Sequence, residues 1–437
     1  VPLRISVEND GSGMAVERYA PEGETPAKDA PWAPSIAFSD THAGANFGKR
    51  GARKYAGGLH GIGAKLANIL STKFTVETGD PVHHKKFRQT WRRNMGEAGT
   101  ARVTRWSRKT GFFRVTYDPD LRRFKHSSRH GGLPPEAVDI LCARVWELAA
   151  CTVPAVRVHL NGVALPVRSF DQYAAVVACG APVACDVAAD EEGDVLTTRG
   201  AVSPKDLRSP KGESGYAVPL LQVAFAPREA VRDAMHQPSG AAPPADAIKD
   251  LAFVNGVPCG EGSHVDMVYD RLKDAMAEDV AKAAVALAKK SGAALSGKQA
   301  RELPLTRATI KSALWLCASL FTTAASFDSQ TKVRLKTPRA KLGVDWRPSA
   351  KFLRDAKRAG LPQAVAEAQL RVRLGSLARS AMGGKKGQRA TADQLTSRFP
   401  KYKPAADASS RSADKRAACT LLLVEGDSPG QLAVAGR

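Results

Sequence analysis

Four glycines fall within the seven residues Gly57-Gly58-Leu59-His60-Gly61-Ile62-Gly63, and Ala64-Lys65 carry the chain directly into Leu66, Ile69 and Leu70, which with Ile62 stand at helical spacing. Glycines this dense at the start of a helix let several backbone N–H groups turn towards one anion, with the helix dipole adding to the attraction. The alternative is a flexible glycine loop with no ligand. The run is not a P-loop, because GxxxxGK[ST] is absent, and the order of elements does not suit a dinucleotide fingerprint. His60 has no His or Cys partner at ligand spacing, so the run reads as a phosphate cradle and not as a metal site.

The surrounding first third reads as α/β. Leu3, Ile5 and Val7 alternate and run into Asn9-Asp10-Gly11-Ser12-Gly13, a turn. Phe74 and Val76 alternate, as do Phe113, Val115 and Tyr117, while Val138, Leu141, Val145 and Leu148 predict one apolar stripe on a helix. Alternation on both sides of Asn161-Gly162 predicts a hairpin, since its tight turn needs positive φ at both central residues. A second unit begins near Phe170. It has an acidic loop over 186–194, strands over 220–225 and 251–254, and helices over 264–290, 310–321 and 350–370. Residues 371–416 are rich in Lys and Arg and interrupted by Gly383-Gly384, Pro400 and Pro404, which predicts a basic linker; 419–424 then reads as a buried strand ending in Glu425-Gly426-Asp427-Ser428.

Charge narrows the partners. The 437 residues carry a formal net charge of +22, which excludes an acidic, solvating chain and favours a polyanion such as nucleic acid, although a solvated basic surface explains the same number. No apolar run is long enough to span a membrane, and the opening at Val1 reads as a strand and not as a secretory segment, so the chain is expected to begin inside a larger protein. The seven cysteines include no CxxC and sit mostly in apolar segments, which predicts buried thiols in a reducing, intracellular compartment. His83-His84-Lys85-Lys86 reads as solvated surface.

Two further segments carry candidate chemistry. At Asn9 a strand end exposes an amide able to hydrogen-bond a base edge, with glycines that let a flat ligand approach; an ordinary Asn-Asp-Gly turn is the competing reading. Gln330-Thr331-Lys332, after Ser326-Phe327-Asp328-Ser329, places a lysine on a loop of the second unit, where it can meet a terminal phosphate or remain solvated.

In this order and spacing the three segments resemble the ATPase region of the type IIA DNA topoisomerases. Residues 9–13 are similar to the second nucleotide-binding box of the GHKL ATPases and 57–65 to their ATP lid; 63–78 (GAKLANILSTKFTVET), 87–99 and 118–125 read close to the eukaryotic enzymes. Residues 326–332 resemble the switch loop of the transducer domain, and 419–437 the opening strand of a TOPRIM domain. The resemblance implies an α+β fold: a truncated GHKL (Bergerat) ATPase sandwich over 1–168, a transducer domain of ribosomal protein S5-like fold over 169–375, a basic linker over 376–418 and the start of TOPRIM over 419–437. Leu59-His60 and His42-Ala43-Gly44 depart from the eukaryotic pattern towards the gyrase B form, which implies a divergent member, viral or from an unusual eukaryote.

The same resemblance assigns roles. Asn9 takes the adenine contact and Asn46 a second nucleotide contact. Gly58, Leu59, His60, Gly61, Ile62, Gly63, Ala64 and Lys65 take the phosphate-contacting lid positions. Gln330, Thr331 and Lys332 take the switch positions, with Gln330 and Lys332 in the catalytic set and Lys332 on the γ-phosphate. Lys289 and Lys290 face DNA, and Glu425 is a Mg²⁺ ligand of the TOPRIM site. The implied cofactors are ATP and Mg²⁺, and the implied partners are double-stranded DNA and a second copy of the chain, with no membrane. The implied activity is double-strand passage by an ATP-dependent type II topoisomerase in a nucleus or another DNA-containing compartment; the alternative is a GHKL nucleotide- or DNA-binding fragment without turnover. The box with the catalytic glutamate is expected before Val1 and the cleavage tyrosine after Arg437, so the isolated chain is expected to hydrolyse ATP very poorly.

Overall fold

The computed structural model describes residues 3–20, 25–40, 61–124, 132–152, 155–188, 195–197, 200–202, 217–218, 220–235, 248–381, 405 and 419. Asn46, Gly57, Gly58, Leu59, His60 and Glu425 lie outside the described residues, as do most of 382–437. The chain divides into two compact units, 1–272 with 315–359 and 273–314 with 360–437.

The first unit opens with β1 (Ile5–Asn9), α1 (Ala33–Ser39), α2 (Ile62–Ile69), β2 (Ser71–Asp80), β3 (Lys85–Arg92), β4 (Glu97–Ala98), β5 (Arg102–Arg105) and β6 (Phe112–Pro119). The strands make a six-stranded sheet in the order β1-β6-β2-β3-β4, with β5 also on β3, and their pairings are antiparallel. Register explains its two faces. Phe74 stands opposite Trp91 and Tyr117, and Val76 opposite Gln89 and Val115. On that face Phe74, Val76, Phe87 and Trp91 are buried, packed with Phe38 of α1 and with Ala64 and Ala67 of α2. Each such large side chain contributes about 1.5–3 kcal/mol by leaving water. The opposite face is polar. There Glu8, Arg114, Glu77 and Arg88 are successive cross-strand partners, with Arg114 Nη2 2.7 Å from Glu8 and Arg88 Nε 3.7 Å from Glu77.

The chain continues through α3 (Pro135–Cys151), β7 (His159–Leu160), β8 (Val163–Ala164), α4 (Phe170–Val177) and β9 (Ala184–Ala188). Then come the short strands β10 (Val195–Thr197), β11 (Gly200–Val202) and β12 (Ala217–Val218), followed by β13 (Leu221–Pro227) and α5 (Arg228–Ala234). After them lie β14 (Leu251–Val254), β15 (Val257–Pro258), β16 (Glu261–Gly262), α6 (Ser263–Lys290), α7 (Gly297–Glu302), α8 (Arg307–Ala313), β17 (Leu314–Leu320), β18 (Arg334–Leu335), α9 (Ala350–Arg358) and α10 (Leu361–Ala381). A second sheet has the order β15-β14-β17-β13-β9, with β14 and β17 parallel. Its apolar cluster includes Phe253, Trp315, Cys317 and Ala224, and it takes in the buried last turn of α3. The Asn161-Gly162 hairpin forms as predicted: Leu160 pairs with Val163, and φ is 51° at Asn161 and 81° at Gly162. In the second unit the described elements are helical. Arg301 binds Glu278 through two 2.9 Å hydrogen bonds, and Gln369 Nε2 donates to the Leu303 carbonyl at 3.0 Å.

Several expectations change. The helix predicted over 310–321 is helix only to Ala313; Leu314–Leu320 is β17, buried at every position between β14 and β13. A strand buried on both faces has no alternation to display, so its apolar run imitates a helix. The helix predicted over 350–370 is two, α9 and α10, parted at Gly360, whose φ of 79° no helix contains, and α10 carries on to Ala381 into the segment predicted as linker. Asp186 is not in a loop but buried in β9, where it accepts from Trp346 Nε1 at 3.1 Å and Ser349 N at 2.8 Å. The stripe on α3 is only partly inward: Val138, Leu141 and Leu148 are exposed. The helix predicted over 264–290 starts one residue earlier, at Ser263, and Val268, Leu272, Met276 and Val280 are buried as its spacing requires. All seven cysteines are free thiols, with Cys151, Cys259 and Cys317 buried and Cys179 exposed. No helix among the described residues is long and apolar enough to cross a membrane.

Candidate nucleotide site

The first candidate segment sits at the end of edge strand β1. Asn9 is its last residue and pairs with Phe113, which pairs in turn with Thr78, so Asn9 and Thr78 stand in one row on the sheet face that α2 covers. Asn9 Oδ1 accepts from Gly11 N at 3.2 Å and so shapes the turn that follows. Gly13 closes that turn at a φ of 75°, and a Cβ there would overlap the Gly79 carbonyl oxygen, so only glycine lets the turn lie flat on the sheet.

Two side chains that sequence reasoning did not single out fix this turn. Thr78 Oγ1 accepts from Met14 N at 2.8 Å and donates to the Phe112 carbonyl at 3.0 Å. Asp80 accepts from Val16 N at 2.8 Å, from Val82 N at 2.9 Å and from His83 N at 3.1 Å, and its Oδ2 lies 2.5 Å from His83 Nδ1. Burial pushes the Asp80 carboxyl upward, but the donors from Val16, His83 and Val82 outweigh it and hold the group below the usual range. His83 is thus a partner of the turn and not merely solvated surface. A signal was present: Thr78 and Asp80 continue the inward register of Phe74 and Val76, and a polar residue at an inward position needs a partner.

The second segment is the start of α2. Gly61 precedes the helix in the left-handed region, φ 62°, and no side chain among the described residues caps the first turn. The first N–H groups there have no partner within the helix, as at every helix start, and Gly63 has open space where a Cβ would stand. Lys65, one turn in, is not a solvated lysine. It is 3% exposed, and burial lowers its pKa while the charge of Asp40 opposes that. Substituting Lys65→Met keeps the stem's volume and removes a desolvated charge. We expect thermal stability to hold or rise; if Lys65 meets a phosphate, affinity for inorganic triphosphate falls about tenfold or more, the worth of one charge-assisted hydrogen bond, and calorimetry of the unsubstituted chain and the variant reads the two effects separately.

The third segment is a clamped loop. Lys336 N donates to the Ser326 carbonyl at 2.7 Å, Phe327 bridges to Leu335, and Lys332 N closes a turn on the Ser329 carbonyl at 3.1 Å. Gln330 and Thr331 are exposed at its tip, and Thr331 Oγ1 lies 2.8 Å from Ser329 Oγ. Lys332 is half-buried, with Nζ 5.9 Å from the Phe327 ring centroid and a φ of 59°, a conformation that costs a non-glycine residue about 1–2 kcal/mol. Lys289 and Lys290 are exposed in the last turn of α6, beside a left-handed Gly292 (φ 73°) that ends the helix, and their charge complements the helix dipole there.

An antiparallel sheet with helices on one face, a glycine turn at its edge strand and a glycine-led helix start over that face are followed in the chain by a second, mixed sheet, the arrangement expected of the fold that the motifs imply. The relatives narrow this further. The chain is 28% identical over 440 residues to DNA topoisomerase 2-alpha of Rattus norvegicus, covering 99% of this chain and 23% of that protein. It is 25% identical over 434 residues to DNA topoisomerase 2 of Arabidopsis thaliana, covering 99% of this chain and 24% of the relative. The chain therefore spans about a quarter of the length of these relatives. Its fold matches the ATPase region of Saccharomyces cerevisiae topoisomerase II with a TM-score of 0.60 at 21% identity, covering 83% of this chain and 76% of that one. It matches the ATPase and transducer domains of DNA topoisomerase II from Balamuthia mandrillaris with a TM-score of 0.60 at 24% identity, covering 85% and 77%. No protein-family model matches the sequence. In sequence and fold the chain is similar to the ATPase region of the type IIA DNA topoisomerases, as its motifs implied.

Proposed function

We propose that this chain is the ATP-binding and DNA-gating segment of an ATP-dependent type II DNA topoisomerase, which changes DNA topology by passing one duplex through another. The observation that carries the reading is the shared sheet face: an amide at the end of β1 and an uncapped, glycine-led helix start both belong to it. Asn9 would hydrogen-bond the adenine edge, and the first N–H groups of α2, with Lys65 and the lid residues Gly58, Leu59 and His60, would hold the phosphates. Asn46 would add a contact to the nucleotide. Gln330, Thr331 and Lys332 would meet the γ-phosphate, so that only ATP draws the switch loop in.

ATP fits the residues present, because the start of α2 offers a polyanion N–H groups that have no partner within the helix. Mg²⁺ would be held chiefly by the phosphates, supplying charge neutralisation there, and Glu425 would serve a separate TOPRIM metal. Lys289 and Lys290 would face the phosphate backbone of duplex DNA. In this reading 1–168 is the ATPase domain, 169–375 the transducer, 376–418 the linker and 419–437 the start of TOPRIM. The chain would act as a homodimer in the nucleus or another DNA-containing compartment.

The test is nucleotide binding by the 437-residue chain. With Mg²⁺ present, ATP is expected to bind about tenfold or more tightly than ADP, one γ-phosphate contact's worth, and Asn9→Ala should weaken both nucleotides alike. Equal affinity for ATP, ADP and inorganic triphosphate, with Asn9→Ala silent, would leave no nucleotide site of this kind.

A further inference from the structure

The loop that carries Lys332 is not held by its own residues alone; the four residues before α6 grip it. Glu261 N donates to the Val333 carbonyl at 3.2 Å, and the Cys259 thiol lies 3.5 Å from the same oxygen. Glu261 and Gly262 then run parallel to Arg334 and Leu335 as a two-residue ladder. Gly262 makes this approach possible: its φ is 121°, and a Cβ there would overlap the Leu335 carbonyl oxygen and come 2.7 Å from its nitrogen. Residue 333 is covalently next to Lys332, so the position of the 259–262 segment sets where the lysine stands.

That segment has two anchors. On one side Cys259 N donates to the Ala252 carbonyl of β14 at 2.7 Å. On the other, His264 Nε2 lies 2.9 Å from the Cys259 carbonyl. His264 is 1% exposed, and its Nδ1 has no partner among the described residues, so the ring is the Nε2–H tautomer donating to the carbonyl and burying a bare acceptor. Burial holds its pKa down, to about 4, against the raising effects of the Cys259 carbonyl and of Asp266, so the ring is neutral at ordinary pH. If the ring's only task were to fill volume, an apolar side chain would do so without an unsatisfied nitrogen. What the imidazole supplies, and an apolar ring does not, is the donor that fixes the Cys259 carbonyl.

We propose that His264 is a positioning residue for nucleotide discrimination: through Cys259 and the Gly262–Leu335 ladder it holds the Lys332 loop at the height where its ammonium meets a terminal phosphate. The proposal rests on the reading that Lys332 meets the γ-phosphate, and its test separates the two. The ratio of ADP to ATP dissociation constants is measured with Mg²⁺ on the whole chain and on four variants, alongside the unfolding midpoint of each. Lys332→Ala reports on the underlying reading. His264→Phe keeps the ring's volume without a donor, His264→Gln keeps an amide donor near the Nε2 position, and His264→Asn keeps a polar group too short to reach Cys259.

The expected result is that His264→Phe and His264→Asn lower the ratio about fivefold or more while ADP affinity stays within about twofold, and that His264→Gln restores the ratio. A purely structural role would move the midpoint in every His264 variant and leave the ratio of the folded protein unchanged. That outcome, with Lys332→Ala still collapsing the ratio, overturns the proposal. A ratio untouched by Lys332→Ala overturns the reading beneath it instead. Should His264→Phe fail to fold, His264→Asn against His264→Gln decides the same question.

Discussion

Lys332→Ala is expected to abolish most of the chain's preference for ATP over ADP, by about 10- to 100-fold, and to leave ADP affinity and the unfolding midpoint nearly unchanged. The size follows from chemistry: a hydrogen bond between an ammonium and a phosphate is worth about 1.5–3 kcal/mol, and each 1.4 kcal/mol is a factor of ten. The selectivity follows because ADP has no γ-phosphate to lose. The fold should tolerate the change, since Lys332 is half-buried at a loop whose backbone clamps at Ser329, Val333 and Leu335 remain when the side chain is cut back. Alanine also inherits the left-handed φ of 59°, so Lys332→Gly serves as a control that removes the amine while relieving that conformation. Competitive binding of the two nucleotides is the measurement, and a preserved ATP preference in both variants would remove Lys332 from the site. If the proposed function holds, the same substitution in a full-length protein should slow ATP-driven strand passage and spare metal-dependent DNA cleavage.

The parts of this fold that were legible in the sequence are those where one face is wet. Phe74 and Val76 alternate with exposed or paired neighbours, α6 shows its stripe from Val268 to Val280, and Asn161-Gly162 announces a turn that only positive φ allows. Legibility failed where burial is complete. Every residue of Leu314–Leu320 is buried, so neither a period of two nor one of 3.6 is enforced there, and in the sequence the run resembles a helix. Asp186 was placed in a loop for the opposite reason: its charge suggested solvent, whereas Trp346 and Ser349 satisfy it inside.

The candidate site divides along the same line. Glycines are conspicuous, so the Asn9 turn and the start of α2 could be read directly. Thr78 and Asp80 were not, because threonine is common in strands and a lone aspartate suggests a turn; only their place in the inward register of β2 shows that each must bind something. The burial of Lys65 is not legible either, since a lysine one turn into a helix ordinarily reads as solvated. His264 escaped notice because the interaction that matters is with a backbone carbonyl five residues away, and sequence lists no carbonyls.

The largest effect on stability is expected at a residue outside the nucleotide site, Asp250. Its Oδ2 accepts from the Tyr269 hydroxyl at 2.6 Å, and its Oδ1 accepts from Arg228 Nη2 at 2.6 Å and from Leu316 N at 3.3 Å. One carboxylate thus joins the start of α5, the lead into β14, the first turns of α6 and the strand β17. Tyr269 is fully buried beside Phe225, ring centroids 5.7 Å apart, and burial, Asp250's charge and the hydrogen bond raise its pKa far above the ordinary phenol, so it stays a donor. Asp250→Ala strands a guanidinium with little access to water and a buried hydroxyl, so about 3–5 kcal/mol of stability should be lost, the usual cost of breaking a buried ion pair from one side. Asp250→Asn should cost less, because the amide oxygen still accepts one bond while its NH₂ faces donors. Paired removal tells the two contributions apart: if the Arg228–Asp250 pair dominates, Asp250→Ala combined with Arg228→Met should recover much of the loss, because neither change then leaves an unpaired charge. Urea unfolding of the single and double variants gives these differences. A midpoint unmoved by Asp250→Ala would show that the second sheet and α6 are held by apolar packing alone.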